Sequence, residues 1–256
     1  MKLIAQPISG TSLGEILISA LSGTTGQYSS LRAAVAFVKS SGVQHIAEPL
    51  RSFAENAGTV ELIVGVDHKG TTSEGLDALL DAVGGKGQVF INHDENSYVT
   101  FHPKVFLFQG VQESLLIIGS GNLTEGGLFA NDECGLVLEL DPGSEDDSAI
   151  LDQVNKALDA WRDEASSTVA LLDVDLRGKL LDMGYLSTEL ALVPEAADEE
   201  VPTAGTKEVE TKAEQGERLF GRMKRKRPAR AARKKRTMVG ATATAAEVLH
   251  AEGGEA

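Results

Sequence analysis

Two side chains with the chemistry to act on a phosphodiester, His102 and Lys104, stand two residues apart in the segment FHPKVFLF. The apolar residues around them predict a β-strand over 101–108, in which alternate side chains point to the same face. A histidine would then lie beside a fixed positive charge. Histidine can act as a nucleophile or as an acid near neutral pH, and a lysine stabilises the negative charge that develops on phosphate oxygens during attack.

A small polar turn and a carboxylate follow this pair along the chain. Ser120 and Asn122 lie in the sequence GSGN, directly after the apolar run LLII, and Glu133 opens a predicted strand over 133–140. Gly, Ser and Asn are common in plain turns, and a glutamate at a strand end is often simply solvated. The order of these motifs after predicted strands favours a functional site. A lysine such as Lys104 in so apolar a strand is also costly to bury without a role.

The elements that must position these residues alternate between strands and helices. Further strands are predicted over residues 33–38, 60–66, 88–92 and 114–118. Helices are predicted over residues 11–21, 42–57, 71–83 and 145–164. This alternation predicts an α/β layer fold, and the continuous apolar runs indicate strands that are covered on both faces. Residues 171–192 form a weaker segment that closes the domain as a helix or a strand, so the folded domain is expected to span residues 1–192.

The first and third predicted helices carry start signals. Ser12 and Glu15 have the spacing of a capping box, and so do Thr71 and Glu74. In a capping box the hydroxyl accepts a hydrogen bond from the third helical N–H, and the glutamate carboxylate accepts one from the N–H of the cap residue. Both spacings predict helices that begin directly after these polar residues.

Composition bounds the class of protein. The chain has 256 residues, of which 42% are hydrophobic, and its one cysteine, Cys134, excludes an internal disulfide and a Cys-based zinc site. Cys134 is expected to be a small buried side chain. The five histidines are scattered without a close pair of metal ligands, so we predict that the protein uses no metal and no cofactor. Without an apolar stretch of signal-peptide or membrane-span length, we expect a cytoplasmic protein that does not bind membranes.

Charge is strongly segregated along the chain. The net charge is −14, but residues 218–236 hold 11 Lys and Arg and no acid, whereas residues 1–217 hold 13 basic and 35 acidic side chains. Large apolar residues become rare after Val193, and residues 193–256 are therefore predicted to be a disordered tail, acidic first and basic second. An acidic body repels nucleic acid at long range, so a nucleic-acid enzyme of this composition needs a local positive site, a basic arm or a partner.

The basic block is a second candidate for function. Its candidate nucleic-acid contacts are the side chains of Lys224, Arg225, Lys226, Arg227, Arg233, Lys234, Lys235 and Arg236. Such a cluster binds phosphate backbones without sequence preference and with strong salt dependence. It could instead act as a localisation signal, bind an acidic surface such as this protein's own body, or simply solubilise the chain. No aromatic residues interleave the block, so base stacking is not indicated.

Taken in order, three motifs of this chain resemble the signature of the phospholipase D superfamily: His102-x-Lys104, Gly119-Ser120-x-Asn122 and Asn131-x-Glu133. The nearest likeness is to the nuclease branch, the HKD-type endonucleases and the catalytic domains of metal-independent restriction enzymes. The sequences GSGNLTEGGL and VGVDHKGTTSEGLDALL are typical of that branch. The likeness spans roughly residues 1–165, with its motif core at 101–140. It implies a phospholipase D-like sandwich, in which a mixed and largely buried β-sheet is flanked by helices.

The resemblance also implies a mechanism. Members bring two HxK motifs together, and chains with a single motif assemble the site across a two-fold axis. One histidine attacks phosphorus and becomes a phosphohistidine, the other protonates the leaving oxygen, and water releases the product. For this chain the likeness implies a homodimer in which His102 of each copy meets at the axis. Lys104 and Asn122 would bind the non-bridging oxygens, Ser120 would add a hydroxyl donor, and Glu133 would orient a catalytic histidine.

One position departs from the pattern of the superfamily. Gln109 stands five residues after the motif lysine, where many members carry an aspartate. The nuclease branch often lacks that aspartate, so this difference agrees with the branch. Its effect on activity is open.

The roles of two loop histidines stay open. His68 and His93 each follow a predicted strand and are read as surface residues, although loops after strands often reach substrates.

The leading hypothesis is a metal-independent nuclease, with DNA favoured over RNA. The alternatives are a phospholipase or phosphatidyl transferase, and a non-catalytic nucleic-acid-binding subunit that works with a helicase or another defence-system partner. Strand preference, endo or exo action and sequence specificity are not defined by these residues.

Overall fold

A computed structural model describes residues 1–56 and 58–189. Their core is one mixed sheet of eight strands in the order β1-β7-β6-β5-β2-β3-β4-β8. In chain order, β1 to β8 are Lys2–Gln6, Ser30–Val35, Thr59–Gly65, Gln88–Asn92, Lys104–Gln109, Ser114–Gly119, Glu133–Leu140 and Val169–Leu171. The helices α1 to α5 are Leu13–Leu21, Ser40–Asn56, Ser73–Val83, Glu145–Trp161 and Val174–Asp182. The predicted α/β class, with a mixed and buried sheet flanked by helices, is confirmed. The tail and its basic block lie outside the described residues.

The sheet is buried on both faces by helices. One face packs against α1, α2 and α3, whose core side chains include Leu17, Leu50 and Leu79. The other face packs against α4 through Leu151 and Leu158. Central strands such as β2 and β5 are therefore covered on both sides, which is why they read as continuous apolar runs.

Strand direction brings one end of each central strand to a common edge. Strands β2, β3 and β4 are parallel, whereas β5, β6, β7 and β1 join them in antiparallel pairs. The carboxyl ends of β2, β3, β4 and β6 therefore meet the amino ends of β5 and β7. We call this edge of the sheet the carboxyl edge. Ligand sites of open α/β sheets commonly lie at such an edge.

The helix start signals are correct for α1 and shifted for α3. Ser12 caps α1 in a complete capping box, with its Oγ accepting from the N–H of Glu15 at 3.2 Å and its own N–H donating to Oε2 of Glu15 at 2.9 Å. The cap of α3 is Thr72 and not Thr71. Thr71 is buried instead between two strand ends, where its Oγ1 donates to the carbonyl of Gly65 at 2.6 Å and accepts from the N–H of Val38 at 3.1 Å.

Several sequence predictions differ from the structure at the margins of the sheet. The edge strands β1 and β8 were not predicted, because each is short and draws its stability from one neighbouring strand. The segment predicted over 171–192 contributes the end of β8 and then forms α5. The expectation that Cys134 is buried is wrong, because it lies exposed on β7 near the sheet margin.

The predicted strand over 101–108 starts late. Strand β5 begins at Lys104, so His102 lies in the loop directly before it and not on the strand. Pro103 separates the two residues and lacks the N–H that a central strand needs for its ladder. The pairing of β5 with β2 accordingly begins at Lys104, opposite Val35.

Candidate active site

The HxK pair lies at the carboxyl edge with its two side chains in contact. The Nζ atom of Lys104 is 2.7 Å from Nδ1 and 2.9 Å from Nε2 of His102, and it also donates to the carbonyl oxygen of His102 at 3.1 Å. Lys104 is only 6% exposed, whereas His102 is exposed. The predicted contact is therefore present although His102 is not on the strand. The pair offers a solvent-accessible imidazole backed by a buried positive charge.

The protonation of both groups follows from this arrangement. Desolvation, the positive charge of Lys104 and the neighbouring His68 lower the pKa of His102, while Asp67 opposes the shift. The neutral imidazole, which is the form that can attack phosphorus, is thereby favoured near neutral pH. Burial also lowers the pKa of Lys104, and the carboxylate of Glu133 partly restores it.

Phe37, in the loop after β2, connects the pair to the polar turn. Its ring lies edge-on to the ring of His102, with centroids 5.6 Å apart, and Nζ of Lys104 is 6.0 Å from its centroid. The N–H of Phe37 donates to Oδ1 of Asn122 at 3.1 Å. This bond holds the amide oxygen of Asn122, so the amide N–H groups are the donors that Asn122 can present to a phosphate oxygen.

Ser120 and Glu133 form a second contact beside the buried lysine. The hydroxyl of Ser120 donates to Oε2 of Glu133 and accepts from the N–H of Cys134 at 3.0 Å. Oε1 of Glu133 accepts from Nδ2 of Asn131 at 3.1 Å. Ser120, Glu133 and Lys104 line one small cavity.

These contacts differ from two expectations. The hydroxyl of Ser120, expected to donate to a substrate oxygen, donates to Glu133 in this structure. Glu133 was expected to orient a histidine, but its described side-chain partners are Ser120 and Asn131. Its electrostatic effect on Lys104 places it within the same site. The substrate contact of Ser120 and the orienting role of Glu133 both stay predictions.

The loop that carries His102 is anchored by an acid that the sequence analysis did not single out. Asp67, which follows β3, is only 5% exposed. Its Oδ2 accepts from the N–H of Phe101 at 2.7 Å, and its Oδ1 lies 2.6 Å from Nδ1 of His93. The buried carboxylate thus has a partner on each oxygen and fixes the backbone one residue before His102. The only sequence signal for Asp67 was its position as a charged residue at the end of the predicted strand in VGVDHKG.

The structure therefore unites most of the predicted residues at one edge. His102 contacts Lys104, Lys104 shares a cavity with Ser120 and Glu133, and Asn122 reaches the pair through Phe37. Phe37 and Asp67 are site residues that the sequence analysis missed, because their roles depend on contacts between distant segments. The candidate contacts of the basic block, Lys224 to Lys226 among them, lie outside the described residues.

The described residues contain neither a candidate metal cluster nor a candidate membrane-spanning helix. Among residues 1–56 and 58–189, no group of three or more His, Cys, Asp or Glu side chains is placed to hold a metal ion. Within the same residues, no helix has both the length and the apolar character needed to cross a bilayer.

Comparisons with known proteins give structural neighbours only. No protein-family model matches the chain, and no curated protein matches it. It is similar in structure to Nuc, a phospholipase D family member from Salmonella typhimurium, with 17% identity over 60% of this chain and 91% of that one and a TM-score of 0.44. NucT from Helicobacter pylori shares 18% identity over 62% of this chain and 93% of that one, with a TM-score of 0.46.

A third structural neighbour is named for a different reaction. Phosphatidylserine synthase from Haemophilus influenzae shares 16% identity, with 67% of this chain and 42% of that one covered and a TM-score of 0.43. At these identities and TM-scores the likeness transfers no activity to this chain.

Proposed function

We propose that this protein is a phospholipase D-like phosphodiesterase that cleaves nucleic acid, with DNA favoured, without a metal ion. The observation that carries the proposal is the contact between a buried lysine and an exposed histidine at the carboxyl edge. Nζ of Lys104 lies 2.7 Å from Nδ1 of His102. In attack on a phosphodiester, an accessible imidazole can act as the nucleophile. A buried ammonium beside it can stabilise the negative charge that develops on the phosphate oxygens.

The proposed reaction has two steps. A ring nitrogen of His102 forms a bond to phosphorus while the bond from phosphorus to the leaving oxygen breaks, and a second histidine gives that oxygen its proton. Water then attacks the phosphohistidine, passes a proton to the second histidine and regenerates the imidazole. Lys104 stabilises the charge on the non-bridging oxygens, and the amide N–H groups of Asn122 donate to them.

In this proposal the second histidine comes from another copy, because each chain has one HxK motif. We propose an isologous homodimer in which His102 of both copies faces one phosphate. The exposure of His102 supports this arrangement, since a partner can reach it.

Part of the sheet beside the site is not covered by any described helix, and we propose that a second copy of the chain packs against it. Leu3, Ile118 and Leu136 are 57%, 43% and 39% exposed and lie opposite one another across β1, β7 and β6. Helix α4 covers the same face further along, over Leu138 and Leu140. Of the strands that carry this patch, β6 ends directly before Ser120 and β7 begins with Glu133. Large apolar side chains in a continuous row are characteristic of interfaces.

Nucleic acid is favoured as the substrate by charge. The basic block of the chain offers phosphate-backbone contacts that an acidic body otherwise lacks. A phospholipid substrate would instead call for an apolar surface that inserts into a bilayer, and in this proposal the exposed apolar row of Leu3, Ile118 and Leu136 packs against the second copy. DNA is the first polymer to test and RNA the second.

The test is cleavage of labelled single- and double-stranded DNA in excess EDTA. Wild type is compared with His102→Ala and Lys104→Met, and Lys86→Met serves as the matched control because Lys86 is exposed at the opposite edge of the sheet. We expect cleavage by wild type and Lys86→Met only. Cleavage that survives in His102→Ala, or that requires a divalent metal, would refute the proposal.

A further inference from the structure

The turn between β3 and α3 carries unusual backbone next to the candidate site. His68 and Lys69 are consecutive residues with φ of +54°, and they are the described non-glycine residues with positive φ. Left-handed backbone is unfavourable for residues with a Cβ and is most often supplied by glycine or asparagine. Such strain persists where the surrounding structure enforces it, and it clusters at functional sites.

The turn is held on several sides. At its start, both oxygens of Asp67 are bound by His93 and by the N–H of Phe101. At its end, the carbonyl of Lys69 accepts from Oγ of Ser187 at 2.9 Å. These contacts involve the backbone of the turn and the side chain of Asp67, so they enforce the conformation without using the side chain of Lys69.

The turn also packs directly onto the HxK pair. Gly70 lies so close to the ring of Phe37 that an added Cβ would come within 2.2 Å of it, and the same ring contacts His102 and Lys104. His68 lies near enough for its charge to lower the pKa of His102, and its Nε2 is 3.1 Å from Oγ1 of Thr100. The side chains of both His68 and Lys69 are exposed. Two potential cations are thus displayed beside the proposed nucleophile on a body with a large excess of acidic groups.

We propose that His68 and Lys69 form a second phosphate-binding element, which contacts the backbone phosphate next to the one that is cleaved. This inference rests on the proposed function, because it assumes a substrate with several phosphates. Lys69 supplies a charge and His68 an N–H donor, while the strained turn fixes both at the edge of the site. The element compensates locally for the repulsion between an acidic body and a polyanion.

Glycine variants separate this role from a structural one. His68→Gly and Lys69→Gly remove the side chains at positions where glycine suits the backbone, so thermal stability is expected to stay the same or rise. Lys86→Gly is the matched control, because it also removes the side chain of one exposed lysine. Each variant is assayed on a DNA oligonucleotide and on bis(4-nitrophenyl) phosphate, which contains a single phosphate.

For the oligonucleotide we expect KM to rise about tenfold for each turn variant, as for the loss of a hydrogen bond to a charged group, with little change in kcat. Activity of Lys69→Gly on bis(4-nitrophenyl) phosphate should equal that of wild type. His68→Gly is compared through the ratio of its activities on the two substrates, because His68 also lowers the pKa of His102. An equal loss on both substrates would show that the turn acts on the chemical step or the fold, and unchanged KM on the oligonucleotide would show that it binds no phosphate. Either result overturns the inference while the proposed function stands.

A binding measurement decides the inference even if no cleavage is found. Oligonucleotide affinity is titrated at increasing salt for wild type, Lys69→Gly and Lys86→Gly. Loss of one phosphate contact should reduce the slope of log K against log salt by about 0.7 for a single strand. A slope in Lys69→Gly equal to that of wild type would refute the contact, and cleavage failing in all proteins would refute the proposed function separately.

Discussion

The main-chain N–H of Phe101 donates to the buried carboxylate of Asp67 at 2.7 Å, across 34 positions of sequence. This bond lies one residue before His102, so the position of the proposed nucleophile is fixed by an acid at the end of a different strand. Since His102 precedes β5 and has no ladder bonds of that strand to hold it, the bond to Asp67 takes the place of strand pairing.

Asp67→Asn is expected to reduce both stability and activity. The amide oxygen can still accept from the N–H of Phe101, but the NH2 group then faces Nδ1 of His93 in place of a carboxylate oxygen, and hydrogen bonds to a charged group are worth about 1.5–3 kcal/mol. Thermal unfolding should show a lower Tm, and cleavage should fall through kcat. Asp152→Asn, at an exposed position of α4, is the control and should match wild type. An active Asp67→Asn enzyme with wild-type Tm would show that the anchor is dispensable.

Lys104→Met is expected to raise the pKa of His102, because it removes one of the positive charges that lower it. Histidine-detected NMR titration of wild type and variant measures this shift directly. Cleavage should drop by about 10²- to 10³-fold, the usual effect of removing one group that stabilises transition-state charge. A His102 pKa that does not move would mean that the two side chains are not electrostatically coupled in solution.

Glu133→Gln is expected to shift the alkaline limb of the pH–rate profile to lower pH. The carboxylate raises the pKa of Lys104 against the effect of burial, so its removal lets the ammonium lose its proton earlier as pH rises. The rate at high pH should therefore fall more than the rate at neutral pH. Glu139→Gln, an exposed position on the same strand, provides the comparison. Identical profiles for both variants would argue against a role for Glu133 at the site.

Ile118→Lys and Leu136→Lys are expected to weaken self-association. Each places a charge in the exposed apolar row of β6 and β7, where an interface would have to desolvate it. Light scattering should show a shift from dimer towards monomer, with activity lost in parallel because the proposed site needs two copies of His102. Val111→Lys, in a turn where the side chain is 91% exposed, is the control. Full activity in a monomeric variant would refute the shared site.

The sequence predicted the central strands and the HxK contact because these rest on local signals. Continuous apolar runs define β2, β5 and β6, and Lys104 is conspicuous within one of them. The location of His102 off the strand depends on Pro103, and the strand prediction passed over it. The roles of Asp67 and Phe37 could not be predicted, because each arises where a loop after one strand meets a loop before another. Edge strands β1 and β8 are short and are stabilised by single neighbours, which leaves little periodicity to detect.

The pairing of β1 with β7 also has a consequence for the order in which the protein can fold during synthesis. Lys2 lies opposite Val137, so β1 has to wait until β7 has been synthesised before it gains its partner. In the meantime its apolar side chains, Leu3 among them, have no sheet to join. Pairings between such distant segments form slowly and leave strand edges open to other chains. The β1–β7 edge of the sheet, which includes Glu133, is therefore expected to form late, after the parallel strands β2, β3 and β4 have paired.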